Sequence, residues 1–271
     1  MFKYLEDKNK DYDHLIKKHL KAYNEKFTGK QTYKEKYIYC LDENQELLGA
    51  LTMYYFWDWV SVGKVFYKNL DVLKDMVYVS KGLLEDLVGL KLFTPVSSKF
   101  HDFIQAGFVD NGQIHMTKSL TYYHAYFKEL DHKLFYNVLT KDQPIKKYQT
   151  ILNERTKDFN HKYGITGPNS HYDLVCLDND KFVGGVQCLA YKETFYIDRL
   201  VVDEKYRKLS IGKTLMIKVE EHAKKLGYGI IELGSCDFQA KDFYEKLGYI
   251  NVHERKNHPR NFTSHTLVKS I

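Results

Sequence analysis

The chain's 271 residues suffice for one large domain or two of common size, and a 44% hydrophobic content with 23 Tyr and 16 Phe excludes a disordered chain. Its 41 Lys and Arg against 35 Asp and Glu leave a net charge of +6, spread along the sequence and not gathered in a block, so no nucleic-acid partner is expected. The opening residues MFKYLEDKNKDYD lack the apolar core of a signal peptide, and no run of about 18 apolar residues follows, so a cytoplasmic protein without a membrane partner is expected.

Taken in chain order, CLDENQELLGAL (40–51) reads as a strand, a turn and a second strand, and YYFWDWV (54–60) continues into a strand and its hairpin. NLDVLKDMVYVSKG (69–82), FIQAGF (103–108) and an apparent terminal strand, TYYHAYFKEL (121–130), follow. The stretch at 131–142, closed by the turn-forming Asp142-Gln143-Pro144, then separates this half from the next. In the second half HYDLVCLD (171–178) and KFVGGVQCLAY (181–191) form strands joined at Asn179-Asp180, and TFYIDRLVV (194–202) forms a third. Ile211, Leu215, Met216, Val219 and Ala223 recur at helical spacing before Gly227 and Gly229. The strand IIELGS, a helix from about Gln239 to Leu247, and the strands YINVHE and TSHTLVKSI complete the chain.

The halves repeat. Asn24 falls on Asn160, Lys26 on Lys162 and Cys40-Leu41-Asp42 on Cys176-Leu177-Asp178 at a constant offset; LLGAL (47–51) falls on FVGGV (182–186) and AGF (106–108) on LGY (247–249) with small shifts. Ordered matches of this kind point to duplication, with a domain at 1–133 and another at 134–271.

The chemistry concentrates in LVVDEKYRKLSIGKTLM (200–216), which runs from a strand through Arg207-Lys208-Leu209-Ser210-Ile211-Gly212-Lys213 into a helix. Unpaired N–H groups in a first helical turn, with the positive end of the helix dipole, hold a pyrophosphate, and Lys208 and Lys213 add charge. An ordinary exposed helix start has the same basic look. These residues, together with IIELGS and CDFQAKDFYEKLGY (236–249), resemble the GNAT acetyltransferase superfamily, whose cofactor turn reads R/Q-x-x-G-x-G/A and whose later signature is F-Y-x-x-L-G-F/Y. The resemblance covers the second half and departs at one place, where Ser210 replaces the first glycine.

The resemblance implies an α/β (α+β) fold of two tandem GNAT-like domains, each a mixed, mostly antiparallel sheet flanked by helices. It also implies an N-acetyltransferase with acetyl-CoA as co-substrate, in which Leu200, Val201 and Val202 pair with the pantetheine arm and Lys208 to Lys213 hold the pyrophosphate. A neutral amine attacks the thioester directly, and the position of the proton donor to the departing thiolate falls on Tyr244. Asp198, mid-strand, is the candidate proton acceptor or else the partner of a neighbouring cation, with Glu193 in reserve. Expected acceptors are primary amines of small molecules or peptides; oligomeric state is open. The scattered Cys40, Cys176, Cys188 and Cys236 read as reduced and mostly buried, and His253, His258 and His265 lack metal-ligand spacing, so no metal is expected.

Carried back by the repeat, Gly63 stands for Asp198, Phe103 for Tyr244, and no glycine-containing cofactor turn is present. The first half is therefore expected to be a degenerate GNAT-like domain, its Tyr54, Tyr55, Phe56, Trp57 and Trp59 either covering the acceptor site or filling a hairpin core. The alternative for the whole chain is a catalytically silent binding or regulatory protein.

Overall fold

The computed structural model describes residues 2–8, 10–30, 33–83, 89–94, 99–117, 120–127, 133–134, 136–162, 170–191 and 194–271. In chain order the elements are β1 (Phe2–Glu6), α1 (Asp13–Thr28), β2 (Lys34–Leu41), β3 (Leu47–Phe56), β4 (Trp59–Tyr67), α2 (Leu70–Gly82), β5 (Gly89–Thr94), α3 (Lys99–Gln105), β6 (Phe108–Thr117), β7 (Leu120–Phe127) and β8 (Asn137–Lys141). They continue with α4 (Lys146–Lys162), β9 (Ser170–Asp178), β10 (Lys181–Tyr191), β11 (Thr194–Val202), a 3-10 turn (Glu204–Tyr206), α5 (Ile211–Lys225), β12 (Ile230–Cys236), α6 (Lys241–Lys246), β13 (Ile250–Arg255) and β14 (Ser264–Ser270).

The chain divides into two compact units, each a mixed sheet with helices. The first gathers Met1–Lys30, Thr166–Asn257 and Asn261–Ile271; the second gathers Gln31–Ile165 and His258–Arg260. The seven strands of the first run β1-β9-β10-β11-β12-β14-β13, and those of the second, read from its other end, β8-β2-β3-β4-β5-β7-β6. Each sheet has one parallel pair, β11 with β12 and β4 with β5, among antiparallel neighbours.

These units do not follow the division at 133/134 expected from the sequence. Strand β1 pairs antiparallel with β9, Phe2 opposite Asp178, so the first thirty residues fold with the second half. Strand β8 pairs with β2, Val138 opposite Cys40, so the segment after the expected boundary folds with the first half. Local periodicity identifies a strand or a helix but carries no information about a partner more than a hundred residues away, which is why the exchange was not visible in the repeat.

In the first unit the apolar stripe of α5, Ile211, Leu215, Met216, Val219 and Ala223, packs on Val186, Cys188, Phe195, Ile231 and Leu233. Burying one such side chain stabilises by about 1.5–3 kcal/mol. On the other sheet face Ile16 of α1 is fully buried with Val175, Leu177, Phe182 and Val201. It fits because Gly185 has no side chain: a Cβ there would lie 2.8 Å from Ile16 Cδ1. The second unit builds its core from Ile38, Leu51, Met53, Val60, Val62, Val72, Leu73 and Met76. All four cysteines are buried and free. Among the described residues no helix is long and apolar enough to cross a membrane.

Candidate active site

The site begins where two strands part. β11 and β12 pair in parallel only from Thr194 with Ile230 to Ile197 with Leu233, and then separate. On its other edge β11 stays with β10, but the register slips: Gln187 faces Arg199 while Cys188 faces Ile197, leaving Asp198 as an extra residue at a bulge. Such a bulge re-aims the strand. The Asp203 N–H donates to the Val183 carbonyl at 2.9 Å. By the alternation of an antiparallel ladder Val201 then also faces β10, whereas the main-chain groups of Leu200 and Val202 face the opened side.

A cavity of about 820 Å³ occupies this opening, within the range of small-molecule sites. Asp198, Leu200, Val201, Val202, Arg207, Lys208, Ser210, Ile211, Gly212, Lys213 and Tyr244 all line it, and Leu209, 53% exposed, does not. Three places in the sequence, the end of one strand and the openings of two helices, are thus brought to one cavity by the parting of β11 and β12.

Ser210 adopts φ 61°, ψ 10°, the left-handed conformation that glycine tolerates best, and its side chain makes no cap bond to the helix. The first turn of α5 therefore presents its N–H groups uncapped by Ser210, with the helix dipole behind them. Lys208 is also left-handed, at φ 64°. At Gly212 a Cβ would only touch its neighbours, with Phe243 Cζ at 3.4 Å and Val202 Cγ2 at 3.6 Å. A larger side chain at that position would extend into the space between α5 and α6. Arg207 Nε donates to the Val202 carbonyl at 3.4 Å.

Tyr244, on α6, is 7% exposed; burial, and secondarily the neighbouring Cys188 thiol, raises its pKa well above the ordinary tyrosine value. It therefore stays protonated at neutral pH, as a proton donor must. Asp198 forms an ion pair with Arg199 Nη1 at 2.6 Å, and Arg199 Nη1 also donates to Gln187 Oε1 at 3.2 Å. The aspartate is thus paired with a neighbouring cation, as the second of the two alternatives read from the sequence has it, and it also lines the cavity. Glu193, the reserve candidate, lies outside the described residues.

A further carboxyl escaped the sequence reading. Glu232 on β12 is 3% exposed, its Oε2 has no hydrogen-bond partner among the described residues, and burial pushes its pKa up to about 8. It lies opposite Tyr196 in the parallel ladder, next to the cavity-lining Leu233. Its signal was present as a lone acid inside the apolar strand IIELGS, yet only its environment separates it from a surface glutamate. Leu20 and Tyr23 of α1, also unforeseen, complete the wall.

His265, 6% exposed, bonds through Nε2 to Asp237 Oδ1 at 2.6 Å and through Nδ1 lies 3.3 Å from Glu254 Oε1, so it ties β12, β13 and β14 together. Among the described residues no group of three or more His, Cys, Asp and Glu is arranged to hold a metal ion.

In the second unit the equivalent places are differently built. Only Lys68 and Asn69 join β4 to α2, and Asn69 Oδ1 accepts from the Val72 N–H at 3.0 Å, capping the helix. Gly63 sits at the register slip of β3 and β4, where a Cβ would come 2.0 Å from Tyr54 Cε2. Phe103, buried edge-on against Phe108, offers no hydroxyl. Tyr54 to Trp59 belong to the β3–β4 hairpin, in which Trp59 is buried.

The sequence profile described as the acetyltransferase (GNAT) family matches residues 129–249. The chain is similar to a blasticidin-S acetyltransferase of Streptomyces morookaense, 30% identical over 99 residues, which are 36% of this chain and 72% of that protein. It is also similar to an L-ornithine N5-acetyltransferase of Arabidopsis thaliana, 32% identical over 83 residues, 30% of this chain and 36% of that one. Among solved structures, an acetyltransferase from Bacillus cereus is 27% identical, with 48% of this chain and 96% of that chain covered at a TM-score of 0.44.

Proposed function

Because the chain belongs to the acetyltransferase (GNAT) family, we propose that it transfers an acetyl group from acetyl-CoA to a primary amine by direct attack. It is an acyl-CoA-dependent N-acetyltransferase; the acetyl donor, the acceptor and the roles of individual residues are the proposal. The observation that carries it is the single cavity shared by the opened edge of β11, the uncapped start of α5 and the protonated Tyr244.

The residues present fit the cofactor. Leu200 and Val202 have main-chain groups aimed into the cleft, suited to the amides of a pantetheine arm, and the N–H groups of Ile211 to Lys213 with Arg207 and Lys208 suit a pyrophosphate. Val201 contributes its place in the wall, its main chain being committed to β10. Acetyl-CoA, when bound, supplies a thioester carbonyl open to attack by a neutral amine and a thiolate leaving group. As the C–N bond formed and the C–S bond broke, Tyr244 would give its proton to the sulfur and recover one from the acylated nitrogen. An alkyl amine with a pKa near 10.4 must first lose a proton, and Asp198, which lines the cavity while held by Arg199, is the acceptor placed to take it. Glu232, raised to a pKa of about 8 by burial but not among the lining residues, would accept it only through a chain of water.

Two relatives are named for blasticidin S and ornithine, which favours a small-molecule amine over a peptide. The common strand order of the two sheets supports a duplicated fold, the second unit being the degenerate copy, with Met1–Lys30 and the β8–α4 segment exchanged between copies.

Calorimetric titration with CoA and acetyl-CoA tests the reading. Wild type and Tyr244→Phe should bind at micromolar concentration and Gly212→Glu should not, while Tyr244→Phe should lose about 10²-fold or more in turnover. Absence of binding by wild type at millimolar CoA would overturn the proposal. Full turnover by Tyr244→Phe would remove the tyrosine from the chemistry, and binding without any acetylation across an amine panel would favour the silent binding protein, for which the left-handed Ser210 is the one supporting departure.

A further inference from the structure

We infer that α1 straps the two arms of the cofactor cleft together, with Tyr23 as the positioning residue that spans them; this rests on the cofactor reading above. Past Ile197 and Leu233 the arms no longer share ladder bonds, so the distance between the turn after β11 and the turn after β12 must be held by something outside the parallel pair. Helix α1 touches both. On the first arm the Arg207 guanidinium lies over the Tyr23 ring, 4.9 Å from its centroid, and Lys26 pairs with Glu204. On the second arm the Tyr23 hydroxyl donates to the Phe238 carbonyl at 2.7 Å. Beside it the buried Asn24 Oδ1 accepts from Gln239 Nε2 at 2.9 Å, and Gln239 Oε1 accepts from the Cys236 N–H at 2.8 Å.

The Phe238–Gln239 turn leads straight into α6, whose first bonds, Phe243 N–H and Tyr244 N–H to the Ala240 carbonyl, set the direction in which Tyr244 is carried. One side chain therefore joins a cation of the pyrophosphate turn, through its ring, to the segment that aims the proton donor, through its hydroxyl. An anion that fixes Arg207 also fixes Tyr23, and with it the start of α6: cofactor binding and placement of Tyr244 are coupled across the cleft. The two links are chemically separable, since phenylalanine keeps the ring and loses the hydroxyl, and leucine loses both.

The test uses the full chain, calorimetry with CoA, and amide hydrogen exchange with and without CoA. Tyr23→Leu is expected to weaken CoA binding roughly five- to tenfold, and to weaken it no further in an Arg207→Met background. Tyr23→Phe should keep affinity within about twofold of wild type yet lose the CoA-induced protection of residues 236–244 that wild type shows. Lys21→Ala, on the exposed side of the same helix, should change neither. Wild-type affinity in Tyr23→Leu, additive losses in the double variant, or undiminished protection in Tyr23→Phe would each overturn the coupling; if Tyr23→Leu does not fold, Tyr23→Phe decides. No CoA binding by wild type would instead remove the acetyltransferase reading, and the strap with it.

Discussion

Glu232 shows how a single residue's role depends on burial. A carboxyl taken from water without a partner resists ionisation, and here its pKa rises from 4.5 to about 8. Folding then binds a proton more tightly than the unfolded chain does, so this group's contribution to stability is fully present below pH 4.5. It declines as pH rises through about 8. Glu232→Gln should therefore flatten the fall in thermal stability between about pH 4.5 and about pH 8. If Glu232 also accepts the amine proton, wild-type kcat/KM should climb through about pH 8 and the variant should lose that limb; a pH–rate profile unchanged by the substitution would leave Asp198 as the acceptor. The sequence pointed to Asp198 because an acid inside a strand is uncommon; Glu232 satisfies the same reasoning, and only desolvation and the Arg199 pair tell the two apart.

At the scale of the element, the turn proposed to hold the cofactor was legible as a strand–turn–helix because its residues are local. A strand, a basic turn and an amphipathic helix lie within about twenty consecutive residues, and helix geometry alone turns the first N–H groups toward whatever faces the turn. The replacement of glycine by Ser210 was visible; its cost was not, until the backbone showed φ 61° at that position. A serine held there is strained by about 1–2 kcal/mol, and a glycine gives back part of that gain through greater freedom in the unfolded chain. Ser210→Gly should accordingly raise stability by a few tenths of a kcal/mol to about 1 kcal/mol and tighten CoA binding, read by melting and by titration. Weaker binding in the glycine variant would mean that the serine hydroxyl itself holds the phosphate. The bulge at Asp198 is the contrasting case, since a one-residue slip leaves no mark in the alternation of TFYIDRLVV until β10 is laid beside it.

For the whole molecule, the exchange of β1–α1 and β8–α4 decides which pieces of chain can stand alone. Residues 136–271 contain every motif of the proposed cofactor site, yet they lack the strand that covers the β9 edge, the Ile16 that fills the niche above Gly185, and the Leu20 and Tyr23 of the cavity wall. That fragment should fail to fold or to bind CoA, whereas Met1–Lys30 joined by a flexible linker to Thr166–Ile271 should do both, as judged by circular dichroism and calorimetry. Tight CoA binding by 136–271 alone would make α1 dispensable. The strand and helix order of the second half, the family resemblance and the twelve candidate site residues, eleven of which line one cavity, all came from the sequence, because each depends on neighbours within a few turns of chain. Which segment completes which sheet, and which acid is buried from water, were decided only in the tertiary structure: strand pairing and desolvation are interactions between residues that the sequence keeps far apart.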